Sequence, residues 1–288
     1  MKKVILITGT STGVGLSSAL AFGRKGYKVY ASMRNLAKRT VLEEAAKAEN
    51  LPVEIIELDV TSMTSIQSAV DLVMEKEGRL DILLNNAGAG FAKTTEHATE
   101  EEIQWQMDVN YFGVVHTTKA VLPIMRKQKC GHVINVTSVG GLVGQPFNEL
   151  YCGAKFAVEG YTEALASYVT KAFNIHFTNV EPGGIATEFV NNAMTKMAEG
   201  GMIEEGDPYA PVFNAYLSGM QSRSGEELAS LYQTPEQVAE VILEVAQQEE
   251  PVIRVRTSDW AEDLCQLKTE ADPTGLKLRD KVVKQFLG

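Results

Sequence analysis

Seven short apolar runs rich in β-branched residues recur along the chain, at residues 4–7, 28–32, 53–58, 82–84, 132–136, 175–180 and 252–255. Most are nearly continuous in hydrophobicity and do not alternate, so both of their faces must be covered, as in a parallel sheet with helices on each side. Stretches of helical period lie between them, at residues 13–25, 36–48, 62–77, 100–127, 149–173 and 235–248. Strand–helix–strand crossovers repeated in this way predict an α/β fold, with one doubly wound domain built on a seven-stranded parallel sheet.

The whole chain, residues 1–288, reads as that single domain, since no internal repeat or low-complexity linker interrupts it. An insertion at residues 183–233 follows the sixth strand at its carboxyl end, where open α/β sheets bind ligands. A tail, residues 257–288, has weak helical periodicity in Leu276, Leu278, Val282, Val283 and Phe286, and suits a lid, an oligomer contact or plain packing. Thr234, Pro235 and Gln237 form a capping-box start. Thr99 before Glu100, Glu101 and Glu102 reads as another helix start, with acids against the positive dipole end.

With 37 acids against 27 bases the net charge is -10, which argues against nucleic acid or an anionic membrane as partner. Cys130, Cys152 and Cys265 are too few and scattered for a disulfide framework or metal cluster, and fit a reducing cytoplasm. His97, His116, His132 and His176 show no metal-ligand spacing. Lys2 and Lys3 before Val4–Ile7 imitate a signal peptide, but Thr8, Gly9 and Thr10 end the apolar run too early. No run reaches the ~18 apolar residues of a membrane span. The expectation is a soluble, cytoplasmic protein.

The first strand runs through Thr8-Gly9-Thr10-Ser11-Thr12-Gly13-Val14-Gly15 into a helix. Glycines let the backbone turn tightly and approach a diphosphate, while the helix start offers N–H groups, although the spacing departs from Gly-x-Gly-x-x-Gly. A NAD site usually has an acid after the second strand, bonded to the ribose 2′-hydroxyl. Here Met33-Arg34-Asn35 follows, and the planar fork of Arg34 suits a 2′-phosphate, with Ser11, Thr12 or Arg39 as further donors. NADP(H) is therefore expected over NAD(H). Asp59 with Val60 ends the third strand and could accept from the adenine amino group. Asn86, Ala87 and Gly88 end the fourth, where small residues admit a flat ring, although such residues are also plain turn formers.

Tyr151 and Lys155 lie four residues apart and share a helix face. An ammonium beside a phenol at a helix start is expected to lower the tyrosine pKa and so to favour proton transfer. Cys152 projects about 100° away from Tyr151 and reads as packing.

Together these stretches resemble the short-chain dehydrogenase/reductase family over roughly residues 4–256. The resemblance rests on Thr8-Gly9-x-x-x-Gly13-x-Gly15, Asn85-Asn86-Ala87-Gly88, Asn110, Ser138, Tyr151-x-x-x-Lys155 and Pro182-Gly183. It implies a Rossmann fold and a catalytic set of Asn110, Ser138, Tyr151 and Lys155: Ser138 holds the substrate oxygen, Tyr151 exchanges its proton, Lys155 binds the nicotinamide ribose and tunes the tyrosine, and Asn110 supports a water relay. It also implies that Pro182, Gly183, Ile185 and Thr187 sit by the nicotinamide. The wording around Ser138–Gly141, Tyr151–Gly160 and Glu181–Gly183 is similar to the hydroxysteroid and retinol dehydrogenase branch.

The expected function is NADP(H)-dependent hydride transfer between nicotinamide and a carbonyl or secondary alcohol. An NAD-dependent alcohol dehydrogenase and a non-catalytic nucleotide sensor of the same fold are the rival readings. Phe189, Met194, Met197, Met202, Tyr209, Phe213, Tyr216 and Met220 in the insertion suit a pocket for a bulky hydrophobic substrate, or equally a helix pair packed on the core. The helix after Glu149 has apolar or small residues on more than one face, including Ala157, Tyr161, Leu165 and Tyr168, and the resemblance implies association through it and the helix before it, as a homodimer or homotetramer.

Overall fold

The computed structural model describes residues 2–186, 206–222, 224–225 and 231–286. Its strands and helices alternate as the apolar runs require: β1 (Val4–Ile7), α1 (Gly13–Arg24), β2 (Lys28–Met33), α2 (Thr40–Ala48), β3 (Val53–Glu57), α3 (Met63–Glu77), β4 (Ile82–Asn85), α4 (Glu100–Met107), α5 (Gly113–Gln128), β5 (Gly131–Val136), α6 (Glu149–Phe173) and β6 (Ile175–Glu181). Then come β7 (Gly184–Ile185), α7 (Ala210–Gln221), β8 (Tyr232–Gln233), α8 (Pro235–Gln247), β9 (Arg254–Arg256), α9 (Asp259–Thr269) and α10 (Leu276–Phe286).

Seven strands form one parallel sheet in the order β3-β2-β1-β4-β5-β6-β9. The pleat sends alternate residues to opposite faces. Val4 and Leu6 of β1 join Ile66 and Val70 of α3, Val121 and Met125 of α5, and Leu165 of α6 on one side. Ile5 and Ile7 join Phe22 of α1 and Val238 and Ile242 of α8 on the other. Both starts expected from capping residues are present, Thr99 with Glu102 and Thr234 with Gln237.

Three details differ from the sequence reading. Residues 100–127 are not one helix, because a π-helical turn at Asp108–Phe112 separates α4 from α5. Gly113 lies just beyond it against β3's exit, where a Cβ would come within 2.9 Å of Val60 Cβ. Residues 36–48 begin as a 3-10 turn, Leu36–Lys38, capped by Asn35 accepting from Ala37 N. β9 starts later than expected, at Arg254, where Ile253 N and Arg254 N both donate to Thr274 O of the tail at 3.0 and 3.1 Å. A second, two-stranded parallel sheet, β7 with β8, also ties the two ends of the insertion together.

A polar ladder crosses the carboxyl ends of β4, β5 and β6, where Asn85, Asn135 and Asn179 stand in register. Asn85 Nδ2 donates to Asn135 Oδ1 at 2.9 Å, and Asn135 Nδ2 to Asn179 Oδ1 at 3.3 Å. Thr117 Oγ1 donates to Asn85 Oδ1 at 2.7 Å, while Thr162 Oγ1 accepts from Asn135 Nδ2 at 3.0 Å and donates to Asn179 Oδ1 at 2.8 Å. All five side chains are buried. Each stays satisfied only while its neighbours are present, since an unpaired buried polar group costs about 1–3 kcal/mol. Asn135→Ala is therefore expected to destabilise the protein by roughly 3 kcal/mol, read as a lowered urea midpoint with an unchanged slope.

Candidate active site

The loop between β1 and α1 is shaped by two glycines that no other residue replaces. Gly9 has φ +73° and packs on Ala87, so that a Cβ would lie 2.8 Å from Ala87 Cα. A Cβ on Gly15 would fall 2.3 Å from Gly9 O and 2.4 Å from Asn86 Nδ2. Asn86 spends its amide on this closure, donating to Thr8 O and Gly9 O at 2.9 Å each. Thr8 Oγ1 in return accepts from Asn86 N and Ala87 N at 3.0 Å each. The first turn of α1 holds no acid, and the Thr12 side chain makes no capping bond. A helix start without an acid or a side-chain cap leaves its N–H groups and positive dipole end open to an anion, so the loop could hold the diphosphate of a dinucleotide.

Ser11 and Thr12 stand at the loop's accessible edge, whereas Val14 and Val60 turn their side chains into the core. Arg34 is exposed just past β2, whose Ser32 O accepts from Thr10 N at 2.9 Å, so the arginine and the glycine loop are neighbours. It makes no ion pair with any described residue, unlike Arg39, which pairs with Glu43 at 3.2 Å. Asp59 Oδ1 accepts from Thr61 N and Thr61 Oγ1 at 2.9 and 2.8 Å, and so shapes its own turn. Pro182 O accepts from Val139 N at 2.9 Å, Gly183 lies under the Trp260 ring, and Ile185 pairs with Gln233. Thr187 lies outside the described residues.

The four remaining side chains converge on two glycines. A Cβ at Gly140 would sit 3.3 Å from Ser138 Oγ and 3.4 Å from Tyr151 Cε1, and one at Gly88 would sit 2.9 Å from Asn110 Oδ1 and 3.6 Å from Lys155 Nζ. Ser138 caps a 3-10 turn, Val139–Gly141, its Oγ accepting from Gly140 N at 3.0 Å. Lys155 Nζ donates to Val136 O at 2.9 Å and stands 5.7 Å from the centre of the Tyr151 ring. Asn110, on the π-helical turn, clamps Ala89 with both halves of its amide, accepting from Ala89 N at 3.1 Å and donating to Ala89 O at 2.9 Å. Such rare π-helical turns are frequent at functional sites, which fits Asn110 as a candidate.

The expected lowering of the Tyr151 pKa is not met. Burial pushes it up to about 12, and the hydrogen bond with Ser138 opposes this only in part. Lys155 is lowered to about 8 by burial, with the Glu159 charge acting against the shift. Desolvation disfavours each charged form, and the ammonium is directed at a backbone carbonyl instead of the phenol oxygen. Burial likewise raises Cys152, in keeping with its reading as packing.

Of the insertion, residues 187–205 lie outside the described residues, and with them Phe189, Met194, Met197 and Met202. Phe213 of α7 stacks edge-on against Phe147, 5.1 Å between centroids, and Tyr216 lies 5.3 Å from the same ring. Phe147 holds the left-handed φ of 62°, a strained conformation for a bulky residue. Tyr209 OH donates to Glu96 at 2.8 Å, and Asp207 pairs with His97 Nε2 at 2.8 Å. The tail is partly packing: Ala261 and Cys265 of α9 cluster with Val139 and Leu142 beside Ser138. Sequence reasoning missed the support residues Asn135, Asn179, Thr117 and Thr162, because polar residues inside strands and helices carry no local signal. Among the described residues no three histidine, cysteine or acidic side chains group to hold a metal, and no helix is long and apolar enough to cross a membrane.

Since Gly15 has no room for a methyl group, Gly15→Ala is expected to weaken dinucleotide binding at least tenfold, measured by titration calorimetry, while retaining the wild-type circular dichroism spectrum.

Comparison with known proteins shows the family. A family model for short chain dehydrogenase matches residues 3–198. A 3-ketodihydrosphingosine reductase of Bacteroides thetaiotaomicron is 42% identical over 191 residues, 66% of each chain. Retinol dehydrogenase 8 of Bos taurus is 36% identical over 278 residues, 95% of this chain and 86% of the relative. The 17-beta-hydroxysteroid dehydrogenase type 1 of Homo sapiens is 34% identical over 281 residues, 95% and 83%. Among solved structures, ElxO with NADP bound superposes with TM-score 0.71 at 25% identity, covering 89% of this chain and 98% of its own. A Burkholderia phymatum short-chain dehydrogenase/reductase in complex with NAD shares the fold at TM-score 0.77 and 21% identity, over 93% of both chains. The chain belongs to the short-chain dehydrogenase/reductase family, in its hydroxysteroid and retinol dehydrogenase branch, and is an oxidoreductase.

Proposed function

We propose that this oxidoreductase is NADP(H)-dependent and interconverts a bulky hydrophobic ketone and its secondary alcohol. The observation that carries the reading is the meeting of Ser138, Tyr151, Lys155 and Asn110 around Gly88 and Gly140. The bound nicotinamide supplies the hydride. Ser138 holds the substrate oxygen, and Tyr151, hydrogen-bonded to Ser138, gives that oxygen its proton during reduction. With its pKa at about 12 the phenol is protonated at neutral pH, the state a proton donor needs. Lys155 holds the nicotinamide ribose and supplies the positive charge that alcohol oxidation requires when Tyr151 becomes a base. Asn110 keeps Ala89 in place at the cofactor's edge and supports the relay that returns protons to the site.

The glycine loop, with Gly9, Ser11, Thr12, Gly13, Val14 and Gly15, would hold the diphosphate through its backbone, and Asp59, Val60, Asn86, Ala87 and Gly88 would border the adenosine and ribose. Pro182, Gly183, Ile185 and Thr187 would border the nicotinamide. Exposed Arg34, standing where a NAD site usually has an acid at the end of β2, supports NADP(H) over NAD(H). A hydrophobic substrate is supported by Phe147 and Tyr216 beside the Ser138 loop, and by relatives named for retinol, hydroxysteroids and a ketosphingoid. Exposure of 39% at Phe112, 38% at Phe156 and 50% at Tyr168 supports a homodimer or homotetramer through α5 and α6. The net charge of -10 and three free cysteines support a cytoplasmic protein with no nucleic-acid partner.

Tyr151→Phe is expected to reduce NADPH oxidation with any ketone by at least a thousandfold while NADPH affinity stays within about twofold, the loss expected of a transition-state proton donor. Wild-type turnover in that variant overturns the assignment. Arg34→Asp is expected to reverse the NADPH:NADH preference in kcat/KM by at least tenfold, and an unchanged ratio rejects Arg34 as the reader of the 2′-phosphate. Against a panel of steroids, retinoids, long-chain ketones and small charged keto acids, activity is expected on the apolar members, and turnover of the keto acids alone refutes the substrate class.

A further inference from the structure

Behind Lys155, on the side away from Tyr151, the protein buries two carboxyl groups that the mechanism above does not use. Glu159 lies one turn beyond Lys155 on α6, and Glu181 ends β6 just before Pro182; they are 5% and 0% exposed. Glu159 Oε2 accepts from Asn179 Nδ2 at 2.6 Å, and Glu181 Oε2 accepts from Arg256 Nη1 at 3.2 Å. The other oxygen of each, Oε1, is buried with no donor among the described residues. Asn179, which holds Glu159, stands two residues before Glu181 on β6 and so on the same face of the sheet, which puts the two buried carboxyls side by side, each acting on the charge of the other. As two carboxylates they would face one another with nothing to share, whereas one proton between them makes each the other's partner.

The charges around the pair point the same way. From β9, Arg256 is already held by Glu262 at 2.6 and 3.0 Å, and Arg254 by Glu163 at 3.1 Å. Thr137 after β5 lies beside Glu159 while its Oγ1 donates to Val180 O at 3.2 Å, and Cys265 of α9 is a buried thiol near both acids. With Lys155, three cations meet the carboxyls of Glu159, Glu163, Glu181 and Glu262, which leaves one carboxyl in excess. Glu163 and Glu262 reach solvent, so the retained proton belongs to the buried pair. The pair also touches the catalytic loop, for a Cβ at Gly141 would come within 3.0 Å of Glu159 Cγ.

We propose that Glu159 and Glu181 are positioning residues that hold one proton and one negative charge between them, and that this charge keeps Lys155 an ammonium inside the site. This rests on the role of Lys155 in the reading above. Its first test does not depend on activity: infrared spectra of the protein at pH 7 are expected to show a protonated-carboxyl stretch in the wild type. That band should vanish in Glu159→Gln and in Glu181→Gln alike, because either leaves a single acid, ionised. Absence of the band from the wild type, or its survival in both variants, overturns the shared proton. The second test is the pH profile of NADPH oxidation with the best ketone of the panel. In the double variant Glu159→Gln/Glu181→Gln the alkaline limb is expected to move down by about one unit, the size of effect a nearby opposite charge exerts, so that the rate at the wild-type midpoint falls several-fold. A double variant that only melts at lower temperature, with the limb unmoved, overturns the positioning role. If no ketone is reduced by the wild type, the functional reading fails, and the infrared band still decides the acid pair.

Discussion

The asparagine ladder at the carboxyl ends of β4, β5 and β6 is the constraint on which the rest of the site depends. A parallel sheet made only of apolar side chains tolerates small shifts of one strand past the next. Three buried amides that satisfy one another do not, because any shift orphans several polar groups at once. Each strand then delivers its next residues to a defined place: β4 delivers Asn86 to the glycine loop, β5 delivers Val136 O to Lys155 and Ser138 to Tyr151, and β6 delivers Pro182 O to Val139. The ladder ends on Glu159, so the sheet's polar network and the acid pair behind Lys155 are continuous.

Within this frame, burial outweighs charge attraction. Two residues on one helix face invite the idea that an ammonium pulls a phenol toward its phenolate. In the folded chain Lys155 is bonded to a main-chain carbonyl and both groups are enclosed, so the phenol stays a phenol and the ammonium is weakened. In the proposed mechanism, an enclosed tyrosine that keeps its proton serves the reductive direction.

Much of the fold was legible in the chain because its signals are local. Continuous apolar runs marked the strands, a 3.6-residue period marked the helices, and Thr234 and Thr99 with their third-position partners marked two starts. Gly9 and Gly15 could be picked out because they sit at a crossover where the backbone needs that residue type, Tyr151 and Lys155 became candidates by their spacing on one helix face, and Ser138 by the family resemblance. Asn86 shows the limit. It read as a residue beside the cofactor or a turn former, and its amide turns out to close the glycine loop. The π-helical turn at Asn110 left no mark either, since one extra residue in a helix barely alters an apolar stripe.

What the sequence by itself determined is the order of elements and the parallel sheet, and it named the candidate reacting groups, for these depend on periodicity and residue chemistry along the chain. Only the tertiary structure decided how those groups are charged and held. Asn85, Asn135 and Asn179 are 50 and 44 residues apart along the chain, and Glu159 and Glu181 come from different elements. Their partnership exists only after the strands pair, when burial removes the water that would otherwise have served each of them.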